Sequence, residues 1–162
     1  MKWINRIEEA FVGICLLAVT IVLFVNIVLR FGFSANTNWA EEVIRYGMIW
    51  ITFIGAAVCF RRGLHVGIDF FLDYLSKKWG AIIALVVNLL SIVFMAFIFY
   101  YSIELVKFSI DSGQITPSLQ IKMFYIYLAI PIGALLSLIH LVVHTFKLFK
   151  DLQSNTIEEK QP

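Results

Sequence analysis

The chain has 162 residues, of which 60 % are hydrophobic and 15 % are charged, and its net charge is +2. This composition excludes a disordered chain and disfavours a soluble domain, and so small a net charge gives no reason to expect a nucleic-acid partner. Cys15 and Cys59 both lie in apolar runs, which favours buried thiols over a disulfide or a metal site. No glycine-rich phosphate loop or His-Glu-x-x-His segment occurs. The sequence therefore predicts neither an enzyme nor a bound cofactor or metal.

Four apolar runs are long enough to cross a bilayer, and they predict transmembrane helices over residues 11–29, 39–60, 79–103 and 123–146. The first run exceeds the roughly 7–15 apolar residues of a signal peptide, so we expect the helix to be retained. Residues 1–9 form a short amphipathic lead-in, and residues 151–162 form a frayed polar tail. The predicted fold is an all-α integral membrane protein with one four-helix domain over residues 1–150.

Polar residues gather where the first predicted helix ends and the second begins. Asn26 is typical of a helix–helix contact, and Asn38 fits an N-cap whose capping box Glu41 completes. The charged side chains at this point are Arg30, Glu41, Glu42 and Arg45. They predict either a partly desolvated cluster that fixes the first helix against the second, or a docking contact for a soluble partner.

Residues 64–75 follow the second helix and predict a short amphipathic helix that lies in the membrane interface. Its polar face is acidic, which is unusual for binding anionic lipid. We expect this face to pair with Arg61 and Arg62 or with a partner protein. The residues that form it are His65, Asp69 and Asp73.

Asn88 and Ser91 share one face in the middle of the third helix and predict a contact with another helix. In the link that follows, Thr116 and Pro117 fit the first positions of a new helix. In the fourth helix, Pro131 removes a backbone donor and predicts a kink. Small residues recur there at i, i+4 and i+8, which permits close helix contact; they are Ala129, Gly133 and Ser137.

Charge asymmetry predicts the orientation of the four helices. With four spans, both termini share a side with the 61–79 link, and that side carries nine of the 13 Lys and Arg residues. The positive-inside rule therefore places both termini in the cytoplasm. The links 30–42 and 104–122 then face the periplasm of a bacterial inner membrane.

None of the four predicted spans has an Asp, Glu, Lys or Arg near its midpoint. A transporter core usually exposes such a side chain at membrane depth, and substrate sites often lie between inverted repeats, which are also not evident here. We therefore expect that this chain does not carry a substrate or coupling-ion site by itself. The same lack of an intramembrane carboxylate disfavours an alternative interpretation as a small self-associating exporter.

Histidines leave a second alternative open, in which the chain is a haem b-binding electron-transfer subunit. Imidazoles from two helices at one depth could ligate the haem iron. The candidates are His65, His140 and His144. Histidines near helix ends more often cap carbonyl groups.

Several short pieces of sequence match a known family in order and spacing. They are Asn26 with Leu29-Arg30-Phe31, Trp39-Ala40-Glu41-Glu42 with Arg45-Tyr46, Trp50 with Gly55-Ala56, the segment Arg62 to Asp69, and the segment Tyr127 to Gly133. Together they resemble the small membrane subunit (Q-type) of tripartite ATP-independent periplasmic, or TRAP, transporters. Phe124-Tyr125 stands where many relatives have a Trp, which is a conservative departure.

The resemblance implies a sodium-coupled complex for organic acids such as C4-dicarboxylates or sialic acid. A large multi-span M-type subunit would carry the substrate and sodium sites and move like an elevator, and a periplasmic P-type binding protein would deliver the substrate. The small subunit would brace the scaffold and help dock the binding protein. The groups that select the particular acid would belong to the other chains. The polar tail that ends at residue 162 predicts a separate rather than a fused subunit.

The resemblance and the residue patterns together assign three sets of positions, in a chain that also contacts membrane lipids. Subunit packing is assigned to Asn26, Trp50, Gly55, Ala129, Pro131, Gly133 and Ser137. Partner docking or a structural ion cluster on the periplasmic surface is assigned to Arg30, Asn38, Trp39, Glu41, Glu42 and Arg45. The cytoplasmic interface is assigned to Arg61, Arg62, His65 and Asp69.

Overall fold

The computed structural model describes residues 2–33, 37–62 and 77–158. Their backbone forms five helices, which are α1 (Lys2–Phe33), α2 (Asn38–Arg61), α3 (Lys77–Asp111), α4 (Phe124–Tyr127) and α5 (Ala129–Glu158). The interfacial helix predicted over residues 64–75, with His65, Asp69 and Asp73, lies outside the described residues.

Four stretches in this part of the chain are long and apolar enough to cross a membrane, which confirms the all-α membrane fold. They are Asn5–Phe33, Asn38–Arg61, Ile82–Asp111 and Phe124–Phe146. Each helix nevertheless extends beyond the apolar run from which it was predicted. Residues 2–9 of the predicted lead-in belong to α1, and α5 continues to Glu158, through most of the stretch predicted to fray. At 35 residues α3 is about 52 Å long, so it tilts in a bilayer or projects from it.

The long helices pack side by side in the order α1, α2, α5, α3. Within the described ranges, the backbone of α1 does not approach that of α3 or α5, and that of α2 does not approach α3. The fold is therefore an open layer of helices rather than a closed bundle. It leaves many large apolar side chains on its surface, such as Phe24 in α1 and Leu90 in α3, which suits contact with lipid or with another membrane subunit.

Small side chains bring α5 close to α2. A Cβ atom added to Gly133 would lie 2.6 Å from Phe53 Cβ and 2.7 Å from the Phe53 carbonyl carbon and oxygen. Ala129 and Ser137, one turn to either side, are completely buried. The stripe predicted from these three residues is thus confirmed as a close helix contact, and in this chain the contact is internal. Such packing matters in lipid, where the hydrophobic effect does not drive helices together.

Asn88 joins α3 to α5 through hydrogen bonds in the apolar layer. Its side chain is completely buried, and Nδ2 donates to the Leu141 carbonyl at 3.2 Å and to Thr145 Oγ1 at 2.5 Å. This confirms the helix–helix contact predicted for Asn88. Ser91 does not share in it, because its hydroxyl donates to the Val87 carbonyl of its own helix.

The fourth span is divided into two helices near Pro131, where the sequence predicted a kink. Helix α4 ends at Tyr127 and α5 begins at Ala129, with Leu128 between them. Pro131 has no N–H to donate to the Tyr127 carbonyl, so the regular ladder is interrupted there. The next bond, from Ile132 N to the Leu128 carbonyl at 3.2 Å, restores it.

Candidate functional site

The link between α3 and α4, residues 112–123, folds into a compact turn. Thr116 N donates to the Ile121 carbonyl at 2.9 Å, and Met123 N donates to the Gln114 carbonyl at 2.9 Å. Gln120 adopts a φ of 57°, a left-handed conformation that closes the turn at a cost of order 1–2 kcal/mol for a residue with a side chain. We call the end of the layer that holds this turn, together with the connection between α1 and α2, the link end.

The prediction that Thr116 and Pro117 begin a helix is wrong. Residues 117–119 form a turn, and the next helix starts at Phe124. Thr116 is completely buried and its hydroxyl accepts a hydrogen bond from Ile121 N at 3.1 Å. The Thr116 hydroxyl accepts from a backbone N–H of its own turn, so it is not available to cap a helix.

Glu42 holds the turn against α2. Its carboxylate accepts hydrogen bonds from Ser118 N at 2.9 Å and from Leu119 N at 3.1 Å, and the residue is only 7 % exposed. Glu42 therefore does not pair with Arg45 or Arg30, as the predicted cluster required. A buried carboxylate needs donors, and the two backbone N–H groups supply them in a charge-assisted pair.

We expect Glu42→Gln to loosen this turn. An amide has only one oxygen to accept the two bonds and presents N–H groups to the donors of Ser118 and Leu119. Hydrogen exchange at these two backbone amides should accelerate about tenfold, the effect of losing one charge-assisted hydrogen bond. Glu41→Gln, one residue earlier and exposed, is the matched control and should leave the exchange unchanged. Equal exchange in both variants would contradict the role assigned to Glu42.

The start of α2 differs from the predicted capping box. Thr37 occupies the N-cap position, and Asn38 is the first helical residue. The Thr37 hydroxyl makes no cap; it donates instead to Oδ1 of Asn26 in α1, and the Thr37 carbonyl accepts from Ala40 N at 3.0 Å. Glu41 lies 3.6 Å from Arg30 instead. Asn26 thus ties α1 to the beginning of α2, in agreement with the predicted helix contact.

The rest of the predicted cluster at the link end lies on the surface. Arg30 Nη1 lies 3.6 Å from Glu41 Oε1, with side chains 67 % and 55 % exposed, so this pair contributes about 0–1 kcal/mol. Arg45 is exposed and forms no ion pair among the described residues. Asn38 and Trp39, at the start of α2, are also exposed. The six assigned residues therefore divide into one buried carboxylate and an accessible polar surface.

A second cluster, which the sequence did not predict, lies at the opposite end of the layer. Glu8 is 4 % exposed and meets Arg61 of α2, with Nη1 at 3.2 Å from its Oε2. Nε2 of His140 in α5 lies 3.0 Å from Oε1 of the same carboxylate. Arg61 also pairs with Glu9, and Arg62 Nη2 lies 2.9 Å from Glu9 Oε1. We call these five residues the N-terminal ion cluster; it connects α1 to α5, although the backbones of these helices are not neighbours.

The sequence carried a signal for the N-terminal ion cluster. Glu8 and Glu9 precede the first apolar run, whereas Arg61 and Arg62 follow the second. Because consecutive spans are antiparallel, these opposite charges reach the same membrane boundary. The expected pairing of Arg61 and Arg62 with residues 64–75 involves positions outside the described residues, so it stays a prediction.

The histidines do not favour the haem alternative. His140 Nε2 is directed at Glu8, within hydrogen-bond distance of both carboxylate oxygens. Within residues 2–33, 37–62 and 77–158, no three His, Cys, Asp or Glu side chains come together as a metal site would require. His65 lies outside these ranges.

The residues assigned to subunit packing occupy different surroundings. Ala129, Gly133 and Ser137 are buried within this chain, so their surface is not free for a second subunit. Trp50 is half-buried and meets Phe11 edge-on, with ring centroids 5.9 Å apart. A Cβ atom at Gly55 would have no neighbour within 4 Å. Contact with another subunit stays a prediction for Trp50 and Gly55.

Comparisons with known proteins agree with this architecture. Residues 19–151 match the model of the DctQ family, described as the DctQ component of tripartite ATP-independent periplasmic transporters. The ectoine TRAP transporter small permease protein TeaB of Halomonas elongata is 28 % identical over 95 % of this chain and 78 % of its own length. The C4-dicarboxylate TRAP transporter small permease protein DctQ of Rhodobacter capsulatus is 25 % identical over 83 % of this chain and 72 % of its own.

A third relative is a longer polypeptide, part of which is similar to this chain. The sialic acid TRAP transporter permease protein SiaT of Haemophilus influenzae is 27 % identical over 99 % of this chain, which spans only 24 % of the length of SiaT. The family model covers most of the chain, and the spans that it matches are the ones that form the helix layer. The chain therefore belongs to the DctQ family and is a small permease subunit of a TRAP transporter.

Proposed function

We propose that this chain is the non-catalytic subunit of a sodium-coupled TRAP transporter for organic acids, in which it braces the scaffold of a large elevator-type permease subunit. The observation that carries the proposal is the distribution of charge. In the part of the chain that the structure describes, the charged side chains lie towards the two ends of the layer, and the middle of each span there holds no Asp, Glu, Lys or Arg. Such a layer offers no group at mid-depth to bind an organic anion or Na⁺, and it is suited to a static role.

The packing supports a rigid brace. At mid-layer, α5 approaches the backbone of α2 through Gly133. Nearer the end that holds His140, Asn88 ties α5 to α3 through Leu141 and Thr145. At one end the N-terminal ion cluster joins α1, α2 and α5. The outward apolar faces of α1 and α3 remain exposed, and a neighbouring membrane subunit could cover one of them.

The accessible polar surface at the link end is the proposed docking site for the periplasmic binding protein. It combines the turn of residues 112–123, fixed by Glu42, with the exposed Arg30–Glu41 pair and Trp39. Charged groups at the rim of an interface steer association and set its register. The proposed orientation, with both termini in the cytoplasm of a bacterial inner membrane, puts this surface in the periplasm and follows from the positive-inside rule.

A charge reversal tests the docking surface in the assembled transporter. Glu41→Lys places a cation beside Arg30. The concentration of binding protein that gives half-maximal sodium-driven uptake should therefore change several-fold. Uptake at saturating binding protein should stay unchanged, because the exposed pair contributes little to stability. Glu104→Lys, also an exposed reversal on the same side of the membrane but at the end of α3, is the control. An identical response of both variants would refute a docking role for the Arg30–Glu41 pair.

A further inference from the structure

A groove of about 460 Å³ runs between α1 and α2 at the link end. Its charged part is formed by Arg30, near the end of α1, and by Glu41 and Arg45 on the first turns of α2. Towards the middle of the layer its walls become apolar, with Leu23 and Ile27 on one side and Met48 on the other. Because both helices cross the membrane, the charged part lies at the boundary of the bilayer and the apolar part lies at the depth of the acyl chains.

The charges in the groove do not balance. Arg30 and Arg45 supply two positive charges and Glu41 one negative charge, which leaves a net charge of +1. Glu41 is 3.6 Å from Arg30, whereas Arg45 forms no ion pair within the described part of the chain. A single negative charge placed against Arg45 would neutralise the groove.

We propose that this groove binds one phospholipid of the surrounding bilayer. The phosphodiester group contacts Arg45 and Arg30, and one acyl chain lies along Leu23, Ile27 and Met48. A phosphodiester carries one negative charge, which matches the excess in the groove, and a guanidinium group binds its oxygens through paired N–H donors. The site shares Arg30 and Glu41 with the docking surface proposed above. Lipid binding can nevertheless be measured on this chain alone, without a binding protein or a substrate.

The shape of the site favours a lipid over free phosphate. The Arg30 side chain is 67 % exposed, and an anion held by exposed side chains alone is bound weakly and screened by salt. The apolar walls below add contacts that only a ligand with an acyl chain can use. The two parts of the groove, charged at the bilayer boundary and apolar beneath it, together match the two parts of a phospholipid.

Lipid retention by the purified full chain tests the proposal. The protein is delipidated in dodecyl maltoside, mixed with palmitoyl-oleoyl-phosphatidylglycerol and examined by native mass spectrometry. We expect one retained lipid in the wild type and about tenfold weaker retention in Arg45→Gln, the loss of a charge-assisted contact. Ile27→Trp, which fills the apolar wall without changing charge, should also weaken retention. Lys122→Gln removes an exposed cation outside the groove and should behave as the wild type.

Two further ligands test the contributions of the phosphodiester group and of the acyl chain separately. Diacylglycerol with the same acyl chains lacks the phosphodiester and should not be retained, and inorganic phosphate alone should not be retained either. Retention by Arg45→Gln equal to the wild type would overturn the proposal, as would equal retention of diacylglycerol. Retention of inorganic phosphate in place of the lipid would show that the site recognises a free anion, which also contradicts the proposal.

Discussion

Arg61→Met should destabilise the helix layer by about 3 kcal/mol, the lower end of the loss for breaking a buried ion pair. The substitution removes the guanidinium that faces the buried Glu8 carboxylate at 3.2 Å. His140 remains 3.0 Å from Glu8 and still partly compensates the buried carboxylate, which is why we expect the lower value. Thermal unfolding in detergent, followed by circular dichroism, measures the effect. Arg62→Met is the control, because its side chain is 55 % exposed and its loss should cost less than about 1 kcal/mol.

A double variant distinguishes a buried charge from a simple loss of packing. Glu8→Gln combined with Arg61→Met removes both charges, so no uncompensated carboxylate remains in the layer. The double variant should therefore be more stable than Arg61→Met alone. If the two losses simply add, or if Arg61→Met is no worse than Arg62→Met, the N-terminal ion cluster does not hold α1 in place.

Gly133→Ala should lower stability by about 1–3 kcal/mol, as overpacking in a close-packed interior does. The added methyl group would meet Phe53 Cβ at 2.6 Å and the Phe53 carbonyl carbon at 2.7 Å, so α5 must move away from α2. Gly55→Ala has open space around the new methyl group. It should be neutral or slightly stabilising, because alanine is favoured over glycine inside a helix by about 1 kcal/mol. The same thermal measurement compares the two variants.

A substitution at Phe53 sharpens this test. Phe53→Ala removes the ring but keeps Cβ and the backbone carbonyl, which are the atoms 2.6 Å and 2.7 Å from the added methyl group. We therefore expect Phe53→Ala not to rescue Gly133→Ala. Full rescue would show that the side chain alone sets the distance between α2 and α5, and equal stability of the Gly133 and Gly55 variants would show that the helices do not approach as closely as described.

The four spans could be predicted because apolar runs of sufficient length have few alternatives to a transmembrane helix. The ends of the helices could not. Glu104 and Lys107 mark where the third apolar run stops, yet α3 continues to Asp111, because a charged residue outside the hydrocarbon region can still extend a helix. An apolar run reports the membrane boundary, and helix ends depend on local capping and contacts.

The order of the helices in the layer was also beyond prediction from sequence. Helices that are apolar on all sides carry little information about which neighbour they contact. Gly133 and Asn88 were exceptions, since a small residue and an amide in a span both indicate close contact with another helix. Their partners, Phe53 and Leu141, became known only from the structure.

The principal correction in the candidate site concerns Glu42. Spacing along α2 favoured a pair with Arg45, but the carboxylate binds the backbone of Ser118 and Leu119, which lie 76 and 77 residues away in the chain. Nothing local in the sequence marks backbone N–H groups as partners. A longer distance in sequence, 132 residues, separates Glu8 from His140, and their contact depends on the packing of α1 and α5 against α2.

Uptake into liposomes tests most directly whether this chain lacks a transport path of its own. Vesicles that contain the chain alone should accumulate no C4-dicarboxylate or sialic acid under an inward sodium gradient. Vesicles that also contain the large permease subunit, with the binding protein added outside, should accumulate substrate of the transporter. Sodium-driven accumulation by the chain alone would contradict the account.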